Sequence, residues 1–147
     1  MKKLLMIAGI GLLVFAHAFA QKAAVFNTNG TAIHGYDVVA FFKAGKPEKG
    51  KTQFSYKWQE VNWQFAGKEN LEAFKAAPEK YAPQYGGYCA FGTAEGHKAP
   101  TEIDTWTIAE DKLYFNYNKN VKGMWAKDQK RLIEKADKNW PEIKDKE

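Results

Sequence analysis

The chain has 147 residues, of which 45% are hydrophobic, 15% aromatic and 27% charged, with a formal net charge of +5. This balance excludes a disordered chain, and the length suits one domain rather than two. A single cysteine excludes a disulfide scaffold and the zinc modules that need several cysteines. Because the positive charge comes from lysines interspersed with glutamates, we expect no nucleic-acid partner.

The start of the chain has the features of a cleavable export signal. Two lysines open it, an apolar run extends to residue 15, and small residues at Ala18 and Ala20 form a cleavage site before Gln21. The apolar run is too short for a comfortable membrane anchor. We therefore expect a signal peptide over residues 1–20. The mature protein, residues 21–147, is then periplasmic or secreted, with no membrane association after cleavage.

A hairpin and a short helix are predicted at the start of the mature chain. The pair Asn29-Gly30, a strong hairpin signal, separates the apolar pieces 24–26 and 31–33. Asp37 then precedes residues 38–43, of which 38–42 are apolar. This arrangement favours a helix with Asp37 as its N-cap.

The next segment predicts an aromatic hairpin and a second helix. Aromatic and polar residues alternate over residues 54–58 and 61–65, with Gln59-Glu60 between them. This period of two is typical of an antiparallel hairpin with one aromatic face. Residues 68–77 favour a helix that Pro78 ends.

The segment 85–96, which reads YGGYCAFGTAEG, contains four glycines and three aromatic residues. The glycines indicate positive φ angles or close approach of the backbone to another group. The aromatic rings indicate that the segment is packed, since a linker would be polar.

A further hairpin and a long helix complete the chain. Alternation over residues 105–108 and 113–117 predicts the hairpin, and residues 120–139 predict an amphipathic helix. Pro141 is expected to end this helix, leaving residues 141–147 as a frayed tail. The apolar stripe expected in the core consists of Val121, Met124, Trp125, Leu132, Ile133, Ala136 and Trp140.

Two aromatic-rich hairpins thus alternate with helices along the mature chain. This order predicts the α+β class, with a small antiparallel sheet packed by helices. The last helix is the long amphipathic one. We expect residues 21–147 to form a single domain.

Cys89 is the strongest candidate for chemistry. Neighbouring glycines leave main-chain amides unshielded, and a helix that begins at Cys89 would lower the pKa of its thiol. In an oxidising compartment a free cysteine is buried, metal-bound, paired with another molecule or redox-active. Three roles therefore stay open: a metal anchor, a redox thiol or a buried core residue.

His97, His34 and Asp37 could complete a metal site with Cys89. A thiolate combined with imidazole nitrogens favours copper or zinc over magnesium or calcium. The alternatives are solvated loop positions for the two histidines and a helix cap for Asp37. Met124 could supply a thioether, but its place on the apolar stripe predicts a core position.

Several blocks of the sequence resemble the exported bacterial branch of the YHS-domain family. They are GYDVVAFF at 35–42, PEKYAPQYGGYCA at 78–90, LYFNYNK at 113–119 and NWP at 139–141. The resemblance covers nearly the whole mature chain, and the block that contains Cys89 is the most specific. It implies a small α+β domain with a metal ion or metal-handling proteins as partners. It also implies that position 89 is selected for sulfur or selenium.

The cysteines of the metal-associated members of that family are absent here. Ala40 stands at the first of these positions, and residues 65–70 contain no cysteine. The family's ligand set therefore does not transfer to this chain, and any metal site must be built around Cys89.

The sequence leads to one interpretation and two alternatives. The interpretation is an exported protein that binds copper or zinc through Cys89, with His97, His34 and Asp37 as candidate ligands. One alternative is a thiol redox protein in which Cys89 reacts. The other is a non-catalytic binding or structural module with Cys89 in its core. Binding is favoured over catalysis, and no catalytic residue other than Cys89 is assigned.

Overall fold

Short strands and helices alternate along the chain in the computed structural model, which describes residues 23–146. The strands are β1 Asn27–Thr28, β2 Thr31–Ala32, β3 Lys51–Trp58, β4 Val61–Phe65, β5 Thr107–Ala109 and β6 Lys112–Tyr114. The helices are α1 Val38–Lys43, α2 Lys68–Ala76, α3 Pro78–Tyr81, α4 Ala90–Ala94, α5 Lys119–Lys127 and α6 Gln129–Ile143. The predicted α+β class is confirmed. The predicted signal peptide, residues 1–20, lies outside the described residues.

The strands form two sheets rather than one. The larger sheet has the order β1-β2-β4-β3, and the smaller consists of β5 and β6. The pairing of β2 with β4 is parallel, with Thr31 opposite Asn62, and the other pairings are antiparallel. The two aromatic hairpins therefore do not share the single sheet that was expected, because β3 and β4 lie in the larger sheet while β5 and β6 pair only with each other.

The β3–β4 hairpin has the aromatic face that the alternation predicted, and this face packs on α2. Trp63, Phe65 and Phe74 are almost completely buried in this core. The rings of Trp63 and Phe74 have centroids 5.1 Å apart, and those of Phe65 and Phe74 are 5.0 Å apart. Burial of such large rings supplies much of the apolar area that a small domain needs.

The C-terminal segment forms two helices where the sequence predicted one over residues 120–139. Asp128, with φ −141° and ψ 42°, separates α5 from α6. Within α5, Trp125 faces the core and is buried, whereas Met124 is 52% exposed, so the core prediction for Met124 is wrong. No helix among residues 23–146 has the length and apolar character that crossing a membrane requires.

Pro141 lies inside α6 and does not end it. A proline in the last turn removes only one N–H donor, and Lys144 N still donates to Trp140 O at 2.9 Å. The buried ammonium group of Lys98 donates to the main-chain oxygens of Lys144 and Lys146. The frayed tail predicted for residues 141–147 is therefore wrong over its described part, because Lys98 anchors it.

Candidate functional site

Cys89 lies within the glycine-rich segment, directly before α4, and it is 2% exposed. Its main chain is fixed by the N–H bond to Ala99 O at 3.0 Å and by a parallel bridge to Phe115. The sulfur Sγ accepts N–H groups from Gly92 and Tyr117, each at 3.3 Å. Cys89 is thus the N-cap of α4, a role usually filled by an oxygen-bearing side chain.

A fully buried asparagine, Asn116, lies beside the thiol. Its Oδ1 accepts the N–H of Phe91 at 3.1 Å and lies 3.6 Å from the Cys89 sulfur, which donates to it. Because Oδ1 is held by a donor, the orientation of the amide is fixed. Its Nδ2 has no hydrogen-bond acceptor among the described residues. The thiol and this amide therefore form one small polar group inside the core.

The pKa of the Cys89 thiol is raised, not lowered as the sequence predicted. Burial is the main cause, because an anion loses its hydration in the core. The N–H groups of Gly92, Tyr117 and Phe91 act in the opposite direction by stabilising the thiolate. Burial outweighs them, so the thiol is protonated near neutral pH.

The carboxylate of Asp37 is fully engaged as a structural group. Its Oδ1 accepts the N–H groups of Val39 and Ala40 at 2.9 and 3.2 Å, which confirms the predicted cap of α1. Its Oδ2 accepts Ala66 N at 2.9 Å and Asn70 Nδ2 at 2.8 Å. Asp37 is completely buried, so these donors use the oxygens that a metal would need.

The two histidines lie apart from any ligand cluster. The Nε2 of His34 is 2.8 Å from Thr101 O, and its ring packs edge-on against Phe26. His97 is exposed, and its Nε2 lies 3.3 Å from the point that a Cβ on Gly92 would occupy. Between residues 23 and 146, no three His, Cys, Asp or Glu side chains are grouped to hold a metal ion. The expected site of Cys89, His97, His34 and Asp37 is therefore not assembled.

The glycine-rich segment has the positive φ angles that its composition predicted. Tyr85, Gly86 and Gly87 have φ of 55°, 62° and 84°. A Cβ at Gly86 would lie 1.9 Å from Ala24 O, so only glycine allows this approach to the N-terminal segment. This turn also directs the hydroxyl of Tyr85 to Asp137 Oδ1 on α6, at 2.8 Å.

An open cleft of about 720 Å³ lies between the β3–β4 turn, the segment around α3, and α6. Its lining includes the indoles of Trp58 and Trp140 and the carboxylates of Glu60, Glu79, Asp137 and Asp145. Both indoles are half-buried and held by other rings: Trp58 by Trp63, and Trp140 by Tyr85. Cys89 does not line this cleft.

Sequence reasoning did not identify this cleft or Asn116. The cleft joins several segments that are distant along the chain, so no local pattern indicates it. Asn116 carried a weak signal, because the run Leu113, Tyr114 and Phe115 is apolar on both faces. Such a run indicates a strand covered on both sides, and a polar residue just beyond it is then expected to be buried.

No protein-family model, no curated protein and no solved structure matches this chain. The resemblance to the YHS-domain family therefore stays a prediction.

Proposed function

We propose that the mature protein is an exported binding module that holds a small ligand in the cleft between the β3–β4 turn and α6. The observation that carries this proposal is the presence of two half-buried indoles, Trp58 and Trp140, on one concave surface. Partly exposed aromatic rings in a cleft of this size are typical of small-molecule sites, where polar groups at the edge orient the ligand.

In this proposal Cys89 is a structural residue. The thiol is buried and protonated, and it occupies the N-cap position of α4. Reactive cysteines lie instead in partly exposed surroundings that lower the thiol pKa. The cleft and the thiol are thus separate features, and ligand binding is expected to survive replacement of Cys89.

A fragment screen followed by NMR tests the proposal. The indole N–H signals of Trp58 and Trp140 report on the cleft. Those of Trp106 and Trp125 are internal controls, because neither residue lines it. We expect fragments that bind residues 21–147 to shift the first pair and leave the second pair unchanged. A screen in which binders leave both cleft indoles unmoved, or in which nothing binds, overturns the proposal.

Thiol redox chemistry at Cys89 is a second candidate. The observation that favours it is the set of main-chain N–H donors on the sulfur, together with the unpartnered Nδ2 of Asn116. These donors would stabilise a thiolate or a sulfenate oxygen once the thiol had become accessible. The raised thiol pKa works against this candidate at neutral pH.

Two measurements distinguish a binding function of the cleft from thiol or metal chemistry at Cys89. The reduced mature protein and Cys89→Ala are treated with hydrogen peroxide, and the folded proteins are analysed by intact mass. Both are also titrated with Cu(I) and Zn(II). Rapid gain of one oxygen, or stoichiometric metal binding, that is lost in Cys89→Ala would favour the thiol or the metal role. We expect neither, because the sulfur is buried and no set of three ligands surrounds it in residues 23–146.

A further inference from the structure

We propose that the ligand of the cleft is a small organic cation, with an amine or quaternary ammonium group on an apolar body. This inference rests on the proposed binding role of the cleft and adds its ligand class. Its basis is the combination of carboxylates and indoles on one surface, since each attracts a cation by a different physical interaction.

The cleft is acidic on a basic protein. Glu60, Glu79, Asp137 and Asp145 line it against only Lys112 and Lys144, so its lining has a formal charge of −2. The whole chain has a formal charge of +5. The local excess of carboxylates therefore reverses the sign of the molecule at this surface, and a concave surface concentrates such a field.

The negative charge of the cleft is largely uncompensated by the protein itself. Within residues 23–146, neither Glu79 nor Asp145 forms an ion pair, and Glu60 has only a 3.9 Å contact with Lys57. Asp137 accepts the Tyr85 hydroxyl, a neutral donor that leaves its charge in place. A ligand cation would therefore meet three carboxylates, Glu79, Asp137 and Asp145, that form no ion pair with a lysine or arginine within residues 23–146.

The indoles supply the second attraction. The cation–π contacts found in the described part of the chain place lysines over tyrosine rings, and none uses Trp58 or Trp140. Indole is the best aromatic partner for a cation, and quaternary ammonium ligands are recognised by such rings. The apolar body of the ligand would contact the same indoles, so a single molecule could interact with both the indoles and the carboxylates.

The test compares a cation with a neutral molecule of the same shape. Choline and 3,3-dimethylbutan-1-ol differ essentially in the charge of one central atom. Both are titrated into the full mature protein, with the indole signals of Trp58 and Trp140 as the readout. We expect choline to bind about tenfold more tightly than the alcohol at low ionic strength, and this advantage to shrink at about 0.5 M salt.

Matched variants assign the charge effect to the cleft. Glu79→Gln with Asp145→Asn removes two carboxylates from the lining. Glu134→Gln with Glu142→Gln removes two exposed carboxylates of α6 that do not line it. We expect the first double variant to weaken choline binding by about threefold or more and the second to leave it within error. Circular dichroism checks that both remain folded.

The outcomes separate this inference from the proposed function. Equal binding of choline and the alcohol, with both shifting the cleft indoles, overturns the cation and leaves the binding role in place. The same holds if neither probe binds while other fragments do shift these indoles. If no probe and no fragment shifts them, the binding role itself fails. Equal losses in the two double variants also overturn the inference, because the charge effect is then not local to the cleft.

Discussion

At the scale of single residues, the sulfur of Cys89 acts as a hydrogen-bond acceptor for buried main-chain groups. Cys89→Ala leaves the N–H groups of Gly92 and Tyr117 without that acceptor. We expect this variant to lower the free energy of unfolding by about 1–3 kcal/mol, measured by chemical denaturation. Cys89→Ser keeps an acceptor at the same position and can donate to Asn116 Oδ1, so we expect a smaller loss.

The serine variant decides between two structural roles of Cys89. If the thiol served only as a small hydrophobic residue, a buried hydroxyl would be unfavourable and serine would cost at least as much as alanine. A larger loss for serine than for alanine would therefore contradict the capping role. The sequence suggested a helix that begins at Cys89, but it could not indicate the second donor, because the N–H of Tyr117 comes from a distant segment.

The carboxylate of Asp37 is a second buried hydrogen-bond acceptor. Its two oxygens receive four N–H donors, from α1, from Ala66 and from the Asn70 side chain. Asp37→Asn replaces one oxygen by an NH₂ group, which then faces donors. We expect a loss of about 2 kcal/mol or more in the free energy of unfolding, because hydrogen bonds to charged groups are the stronger ones.

Asp104→Asn is the control for this charge change. Asp104 is exposed and forms a 3.0 Å ion pair with Lys119. Surface ion pairs contribute little, so we expect a loss within about 1 kcal/mol. Similar losses in Asp37→Asn and Asp104→Asn would show that the network around Asp37 is not what stabilises the junction of α1 with α2.

At the scale of elements, the glycine-rich turn joins the N-terminal segment to the rest of the fold. Gly86 O accepts Phe26 N at 2.8 Å, and a Cβ at Gly86 would collide with Ala24 O. We expect Gly86→Ala to lower the free energy of unfolding by at least about 2 kcal/mol, because both strain and a steric clash oppose it. The N-terminal hairpin should also lose protection in hydrogen exchange.

Gly123 provides a matched comparison for the same substitution. It lies within α5, and a Cβ there would meet no atom within 4 Å. Gly123→Ala is therefore expected to raise the free energy of unfolding by about 0.5–1 kcal/mol, since alanine has less backbone freedom to lose. Effects of the same sign in the two variants would contradict the requirement for glycine at position 86.

The elements also show where sequence patterns succeed. The cap of α1, the aromatic hairpin and the positive φ angles near Gly86 depend on residues close together in the chain, and their patterns predicted them. The parallel pairing of β2 with β4 depends on segments about thirty residues apart. The break at Asp128 interrupts an amphipathic pattern that runs on into α6. Local periodicity contains no information on either.

At the scale of the whole molecule, the candidate site also depends on tertiary contacts that local sequence patterns do not show. The glycine-rich composition near Cys89 indicated a functional thiol, whereas the fold buries this thiol. The cleft is built from residues that look ordinary in sequence: three tryptophans, a few carboxylates and residues from several distant segments. Only the tertiary fold brings these residues together, so the candidate site could not be predicted from motifs.

The buried phenols and the buried thiol make the stability of the whole molecule sensitive to alkaline pH. Burial is the main cause that raises the pKa of Tyr85, Tyr88 and Cys89, and it raises that of Tyr114 to about 12. The neighbouring carboxylate of Asp137 raises the pKa of Tyr85 further. Each group therefore holds its proton more tightly in the folded state than in the unfolded chain.

The sign of the effect follows from this difference in proton affinity. Below the unfolded pKa of a group, both states hold the proton and its contribution to stability is complete. Above that value the unfolded chain releases the proton first, so stability falls as pH rises toward the folded pKa. With unfolded values of about 8.5 for cysteine and about 10 for tyrosine, we expect Tm to decline from about pH 9 and steeply above about pH 10.

Tyr85→Phe tests this account in thermal melts between pH 7 and pH 11. The variant loses the 2.8 Å bond to Asp137, so its Tm at neutral pH should be lower than that of the wild type. It also lacks the most strongly shifted phenol, so its Tm should fall less between pH 9 and pH 11, and the two curves should converge. Tyr117→Phe, which removes an exposed hydroxyl, is the control. Its curve of Tm against pH should run parallel to that of the wild type. Parallel curves for Tyr85→Phe and the wild type would contradict a role for the buried phenol, and the decline would then belong to the remaining buried groups.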